Sequence, residues 1–187
     1  MPDAIRNLKS LAALPPAERV YDDVLRLAVL PARTILRLQL AVGARHSGKV
    51  RIPGQRLPEA MNSTIGENPV VARVAPDSWL FIAAFHAGPA LMAALRAACA
   101  RQPFALTDLS DAHVTIAVEG PRAIAVLLRG CGIDIDKLAA DACLRTRFAQ
   151  LPVVLRRAAA DRYELMVDRA VAKYLFDWLQ DSAAGLD

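Results

Sequence analysis

The chain predicts an α+β fold with mainly antiparallel sheets and packed helices, and three observations carry that reading. Residues 107–136, TDLSDAHVTIAVEGPRAIAVLLRGCGIDID, read as an alternating strand, then Gly120-Pro121 opening an apolar helix, then a glycine-punctuated stop with two acids. Elsewhere, pairs of short strands are separated by single helices. The clearest helix closes the chain, where Val171, Tyr174, Leu175, Trp178 and Leu179 fall at i, i+3, i+4, i+7 and i+8.

Taken in order, residues 17–29 predict a helix, with Val20, Val24, Leu25, Leu27 and Ala28 as an apolar stripe ended by Pro31. Residues 34–40 alternate, Ile35, Leu36 and Leu38 against Arg37 and Gln39, and predict a strand. Residues 43–68 carry Gly, Pro, Arg, Ser and Asn without periodicity and predict a long loop, a length that in a compact domain goes with function or with packing on a partner. Residues 70–74 and 79–83 predict two strands about a turn at Pro76-Asp77-Ser78. A helix over 89–101 follows, with Leu91, Leu95 and Cys99 on one face. Residues 104–108 and 112–119 predict the next strand pair, with Val114, Ile116 and Val118 sharing a face. A helix over 121–129 stops at Gly130 or Gly132. Residues 143–149, 153–157 and 163–167 supply three more strands. The pattern points to two ferredoxin-like halves. It divides into an N-terminal helix, strand and long loop over 1–67 and a core domain over 68–187, in one compact unit.

The composition narrows the function classes. A chain of 187 residues is long enough to bury a real core, and 55% hydrophobic residues with only 5% aromatic makes the apolar content largely Ala, Leu and Val. So apolar a surface is expected to be partly covered by another protein. A net charge of +4 without a concentrated Lys/Arg run argues only weakly for nucleic acid. Cys99, Cys131 and Cys143 are odd in number and widely spaced, with no signal peptide ahead of them, and predict reduced, buried thiols in a cytoplasmic protein. Asn62-Ser63-Thr64 fits a glycosylation pattern that has no weight without secretion. Residues 79–100 are long and apolar enough to span a bilayer, but Gly88-Pro89 breaks them into a strand and a helix.

No catalytic constellation stands out. Residues 43–50, GARHSGKV, nearly match a phosphate-binding loop, yet Val50 offers no hydroxyl for magnesium, and Pro53 and Pro58 block the helix that would hold phosphate. Gly130-Cys131-Gly132 lacks the third glycine of a dinucleotide fingerprint. Asp134, Asp136 and Asp141 lack the central Gly and closing Glu of a calcium loop. His46, His86 and His113 lie far apart and are not spaced with the cysteines as zinc ligands; Ser110, Asp111 and His113 are too close in sequence to form a triad. Arg145, Arg147, Arg156, Arg157, Arg162 and Arg169 cluster in the last quarter. Arg145 and Arg147 share a strand face, and Arg145, Arg147, Arg156 and Arg157 form a candidate interface for an acidic partner against the plainer reading of a solvated sheet face. No aromatic residues interleave with them as a base-stacking surface needs.

APDSWLFIA, a helix, TDLSDAHVTIAVEGP, LLRGCGIDID, CLRTRFAQLPVVLRR and DRYELMVDRAVAKYLFDWL, in this order over residues 68–184, together resemble the gamma subunit of heterotetrameric sarcosine oxidase. That family is similar in fold to the folate-binding domain of the glycine cleavage T-protein. There a Gly-rich hairpin carries an acidic pair that includes the catalytic aspartate; the matching stretch here, residues 148–155 (FAQLPVVL), has neither carboxylate nor glycine. Folate-linked one-carbon transfer needs such a carboxylate near the reacting nitrogen. This chain also departs from the family pattern at Asp77-Ser78 before Trp79, at Ala170 after Arg169, and over residues 41–62, which lack a counterpart to the family's first helix.

The resemblance implies a non-catalytic gamma subunit of a complex that oxidatively demethylates a secondary amine such as sarcosine, giving hydrogen peroxide and formaldehyde or its tetrahydrofolate adduct. It implies alpha, beta and delta subunits as partners, with FAD, FMN, NAD, tetrahydrofolate and zinc held by them and no cofactor in this chain. The rival readings are a stand-alone tetrahydrofolate-binding, aminomethyltransferase-like protein and an RNA-associated module.

Overall fold

The computed structural model describes residues 18–21, 23–41, 50–52 and 55–186. The chain begins with β1 (Glu18–Tyr21), β2 (Leu25–Val29) and β3 (Arg33–Leu40), followed by three two-residue strands, β4 (Arg51–Ile52), β5 (Gln55–Arg56) and β6 (Thr64–Ile65). A hairpin of β7 (Val70–Ala75) and β8 (Ser78–Ala84) leads into α1 (Gly88–Cys99), then β9 (Phe104–Asp108) and β10 (His113–Glu119). The last third holds α2 (Ala123–Gly130), β11 (Cys143–Phe148), β12 (Leu151–Ala159), β13 (Arg162–Asp168) and α3 (Ala172–Ala184).

The larger strands form two antiparallel sheets, one ordered β1-β2-β10-β13-β12-β11 and one ordered β6-β7-β8-β3-β9, while β4 and β5 make a small separate hairpin. Each sheet contains a ferredoxin-like unit, in which four strands stand in the order 4-1-3-2. In the second sheet β3, β7, β8 and β9 take positions 1 to 4, with α1 as the second crossover helix. The 41–69 connection stands where the first would be, and its described residues contain no helix. In the first sheet β10, β12 and β13 take positions 1 to 3, with α2 and α3 as the helices. The fourth position, beside β10, is filled from the other end of the chain by β2, and β11 adds an edge strand.

Period-two alternation builds the layers. Leu25, Leu27, Val114, Ile116, Val118, Leu155 and Leu165 point outward from the first sheet and pack with Val126, Leu127, Leu175 and Leu179 of α2 and α3. Leu36, Leu38, Val71, Trp79 and Phe81 point outward from the second sheet onto Leu91, Leu95 and Cys99 of α1. Between the sheets lies a third, smaller cluster of Ile35, Val70, Ala72, Val74, Leu80, Ile82, Cys143 and Met166. The order is helices, sheet, sheet, helix.

Two glycines of the 107–136 stretch are required by geometry. Gly120 has φ +112°, and a Cβ there would run into the backbone carbonyl of Val24. At Gly130 a Cβ would lie 2.7–2.8 Å from the rings of Phe148 and Trp178, which themselves meet edge to face. Helix α2 stops at Gly130, with Cys131 extended behind it, as the glycine punctuation predicted.

One expected element is different: where a helix was expected over 17–29, the described residues form the strands β1 and β2. Asp23 takes φ +56° in a turn closed by Val24 N–H donating to the Tyr21 carbonyl at 2.9 Å, and β1 and β2 pair across it. Leu25 and Leu27 are buried on the same face, a period of two that a short window cannot separate from a helical stripe. The long loop is in part an anchored segment. Leu57 is buried, Trp79 Nε1 donates to the Pro58 carbonyl at 3.1 Å, and Arg73, 5.4 Å above the Trp79 ring, donates to the carbonyls of Glu59 and Pro76. No described helix is long and apolar enough to cross a membrane.

Candidate functional site

The same alternation that buries the core aims several charged side chains into the layer between the sheets. Arg33 and Arg37 flank Ile35 on β3, Glu164 precedes Met166 on β13, Arg156 follows Val154 on β12, and Arg145 follows Cys143 on β11, each pair in register with its neighbours. The apolar cluster occupies the middle of this layer, so the charges collect toward its margins.

At one margin Glu164 is only 4% exposed. Arg33 Nη1 donates to both its oxygens, at 3.3 and 3.1 Å; Arg156 Nη1 donates to Oε2 at 3.2 Å, and Arg162 Nη2 lies 3.6 Å from Oε1. Beside this group opens a cleft of about 740 Å³, whose rim includes Glu67, Asn68 and Asp141. A carboxylate so enclosed by guanidiniums is a clasp between the sheets, joining β3 of one to β12 and β13 of the other. Its oxygens are already engaged, so it is poorly placed to abstract a proton. Cys143, in the cluster alongside, has its thiol pushed up to about 12 by burial, partly opposed by Arg156, which removes it as a nucleophile near neutral pH.

The four arginines of the expected interface separate. Arg145 and Arg147 project from β11, the edge of the first sheet, and both are exposed; Arg147 Nη2 donates to the Gln150 carbonyl at 2.9 Å. Arg156 is committed to Glu164. Arg157 faces the opposite side of β12, donating to the carbonyls of Leu138 and Ala160 at 2.6 and 3.1 Å and lying 5.8 Å from the centre of the Tyr163 ring.

The stretch over 148–155 is the turn and inner strands of the β11–β12 hairpin. Its two turn residues, Ala149 and Gln150, have φ of +47° and +67°, the geometry that Asn-Gly normally supplies. Ala149 N–H donates to the Gly130 carbonyl at 2.9 Å, tying the hairpin to the end of α2. No side chain in it carries a carboxylate. Cys99, Cys131 and Cys143 are free and buried, and no group of three His, Cys, Asp or Glu among the described residues is arranged to hold a metal ion. Asp134 pairs with Lys137 at 2.6 Å, and the Asp141 carbonyl accepts from Thr64 Oγ1 at 2.7 Å. Residues 43–49 of the phosphate-loop lookalike, including His46, lie outside the described residues; Val50 is buried.

Glu164, Arg33 and Arg37 were not singled out by the sequence reading. The signal was there: in Tyr163-Glu164-Leu165-Met166-Val167 a lone charge interrupts an otherwise apolar strand, which is where a paired buried ion is expected.

Two ferredoxin-like units set sheet against sheet, with helices outside, define the fold shared with the glycine cleavage T-protein. The aminomethyltransferase T of Bartonella henselae matches with a TM-score of 0.61 at 16% identity, over 81% of this chain and 44% of that one. Within that fold the chain belongs to the sarcosine oxidase, gamma subunit family, whose sequence profile matches residues 42–185. The sarcosine oxidase subunit gamma of Corynebacterium sp. (strain U-96) is 26% identical over 176 residues, 91% of this chain and 85% of that one. The heterotetrameric sarcosine oxidase from Corynebacterium sp. U-96, solved in complex with pyrrole 2-carboxylate, contains a chain matching with a TM-score of 0.79 at 24% identity, over 89% of this chain and 87% of that one.

Proposed function

We propose that this chain is a non-catalytic gamma subunit of a cytoplasmic, sarcosine oxidase-like complex that oxidatively demethylates a secondary amine such as sarcosine. The observation that carries the reading is the family match over residues 42–185. Alpha, beta and delta subunits are its partners, and FAD, FMN, NAD, tetrahydrofolate and zinc reside in them. The geometry supports the division of labour. The buried carboxylate, Glu164, is tied up in the clasp with Arg33 and Arg156, and Cys143 beside it is a buried thiol whose pKa burial pushes up to about 12. Arg145 and Arg147, exposed on an edge strand, are the candidate contact to an acidic partner surface. Phe85 and Tyr174, each more than half exposed, add apolar contact area elsewhere.

Purification of the full chain alone, followed by flavin spectroscopy and an oxygen-consumption assay with sarcosine, tests this. The proposal expects neither flavin nor turnover until the partner subunits are added. A flavin-loaded, active chain in isolation sinks it. The fold likeness to the T-protein favours one second reading, a stand-alone tetrahydrofolate-binding protein. Saturable tetrahydrofolate binding by the isolated chain revives that reading, and the missing hairpin carboxylate predicts none.

A further inference from the structure

The layer between the sheets has a second polar margin. There Arg37, His113 and Arg145 surround a pocket of about 100 Å³ whose remaining walls are Val74, Leu80, Leu109, Val154 and Met166. Arg37 Nε and His113 Nδ1 are both buried, and neither has a hydrogen-bond partner among the described residues. None of the residues lining the pocket is acidic. A buried guanidinium donor left unpaired keeps its full desolvation cost, so such groups are normally satisfied by something.

We infer that this pocket is a carboxylate site, taking a carboxylate on a short aliphatic stem. Charge, polarity and size all select that class. Two permanently cationic guanidiniums favour an anion, and their planar forks match the two oxygens of a carboxylate. The five apolar walls favour a few methylene or methyl groups behind it. A dry cavity of about 150 Å³ accommodates benzene, so roughly 100 Å³ suits a carboxylate with two or three carbons and excludes a nucleotide or a pterin. An amino group on the same stem would lie among cations, so free amino acids are the wrong class. A ligand of so few atoms binds at best on the order of micromolar. The carboxylate is either a free small acid or an Asp or Glu side chain of a partner subunit. The site does not depend on the assembly reading, because every group that forms it belongs to this chain.

The test is calorimetric titration of the isolated full-length chain with sodium propionate, in a buffer free of carboxylates, against propionamide as the uncharged isostere. Saturable binding of propionate but not propionamide is expected. Arg145→Gln, an exposed position that leaves the core intact, weakens it about tenfold, as does Arg37→Gln if that variant folds, while Arg147→Gln outside the pocket leaves it unchanged. Equal heats for propionate and propionamide, no binding of either, or propionate binding indifferent to Arg145→Gln would each overturn the assignment. Repeating the titration on the assembled complex separates the sources. Retained binding identifies a free acid, and abolished binding identifies a partner carboxylate already in place.

Discussion

The two margins of the layer between the sheets start from the same material and end differently. At one, Arg33 and Arg156 converge on Glu164, a carboxylate the chain provides itself; at the other, Arg37, His113 and Arg145 converge on no acid among the pocket's walls. The first margin has its carboxylate on folding, with Arg156 Nε as its one unpartnered buried guanidinium donor among the described residues, and its ion pairs join the two ferredoxin-like units. The second is finished only when something else arrives. A chain whose charges are complete on one side and incomplete on another fits a component of an assembly, where part of the recognition chemistry lies in the partners.

The contrast is most sharply tested at its charged centre. Glu164→Gln leaves the guanidiniums of Arg33, Arg156 and Arg162 facing a neutral amide in a buried site and is expected to lower stability by about 3–5 kcal/mol, measured by urea unfolding. A loss below about 1 kcal/mol would mean that the clasp is not what joins the sheets. Next in size is the thiol beside that clasp. Burial raises the Cys143 pKa from 9.0 to about 12, so folding favours the protonated form. The stability this contributes is complete below pH 9 and is lost as pH rises from 9 toward 12. The urea midpoint of the parent chain should therefore fall more steeply between pH 9 and 10.5 than that of Cys143→Ala, and iodoacetamide should leave Cys143 unmodified in the native chain at pH 8. Gln150→Gly relieves the φ of +67° in the β11–β12 turn and is expected to stabilise by about 1 kcal/mol, read as a rise in thermal midpoint. The smallest effect belongs to the open margin. Arg37→Met removes an unpaired buried donor and adds apolar volume, and is expected to stay within about 0.5 kcal/mol of the parent or to exceed it in stability. A loss there as large as that of Glu164→Gln would erase the difference between the margins.

Much of the architecture was legible because alternation and helical periodicity are local. The strands around 70–84, 104–119 and 143–168 and all three helices fall where the pattern places them, and Gly120-Pro121 marks the junction of β10 and α2. The N-terminal pair β1 and β2 was misread because its apolar spacing satisfies both periods; what decides between them is β10, far away in sequence, against which β2 pairs. That pairing also completes the ferredoxin-like unit of the first sheet, a long-range exchange no local signal announces. The arginine cluster was visible as composition, but not its division. Arg156 and Arg157 are adjacent in sequence and face opposite sides of β12, one toward Glu164 and one toward Tyr163. On β3, Arg37 sits in the alternating pattern of a half-solvated strand, whereas a second sheet covers that face. Which face of a strand meets water is settled by packing, and a single strand does not carry that information.

The most direct test of an incomplete surface awaiting partners is the composition of the species formed when the chain is coexpressed with the alpha, beta and delta subunits, resolved by size-exclusion chromatography with mass determination. The parent chain is expected in one stoichiometric complex with all three. Arg145→Glu combined with Arg147→Glu should leave the thermal midpoint of the isolated chain nearly unchanged, because both side chains are exposed, yet drop the chain from the complex. A parent chain that elutes alone, or a double variant that assembles as well as the parent, would contradict the account.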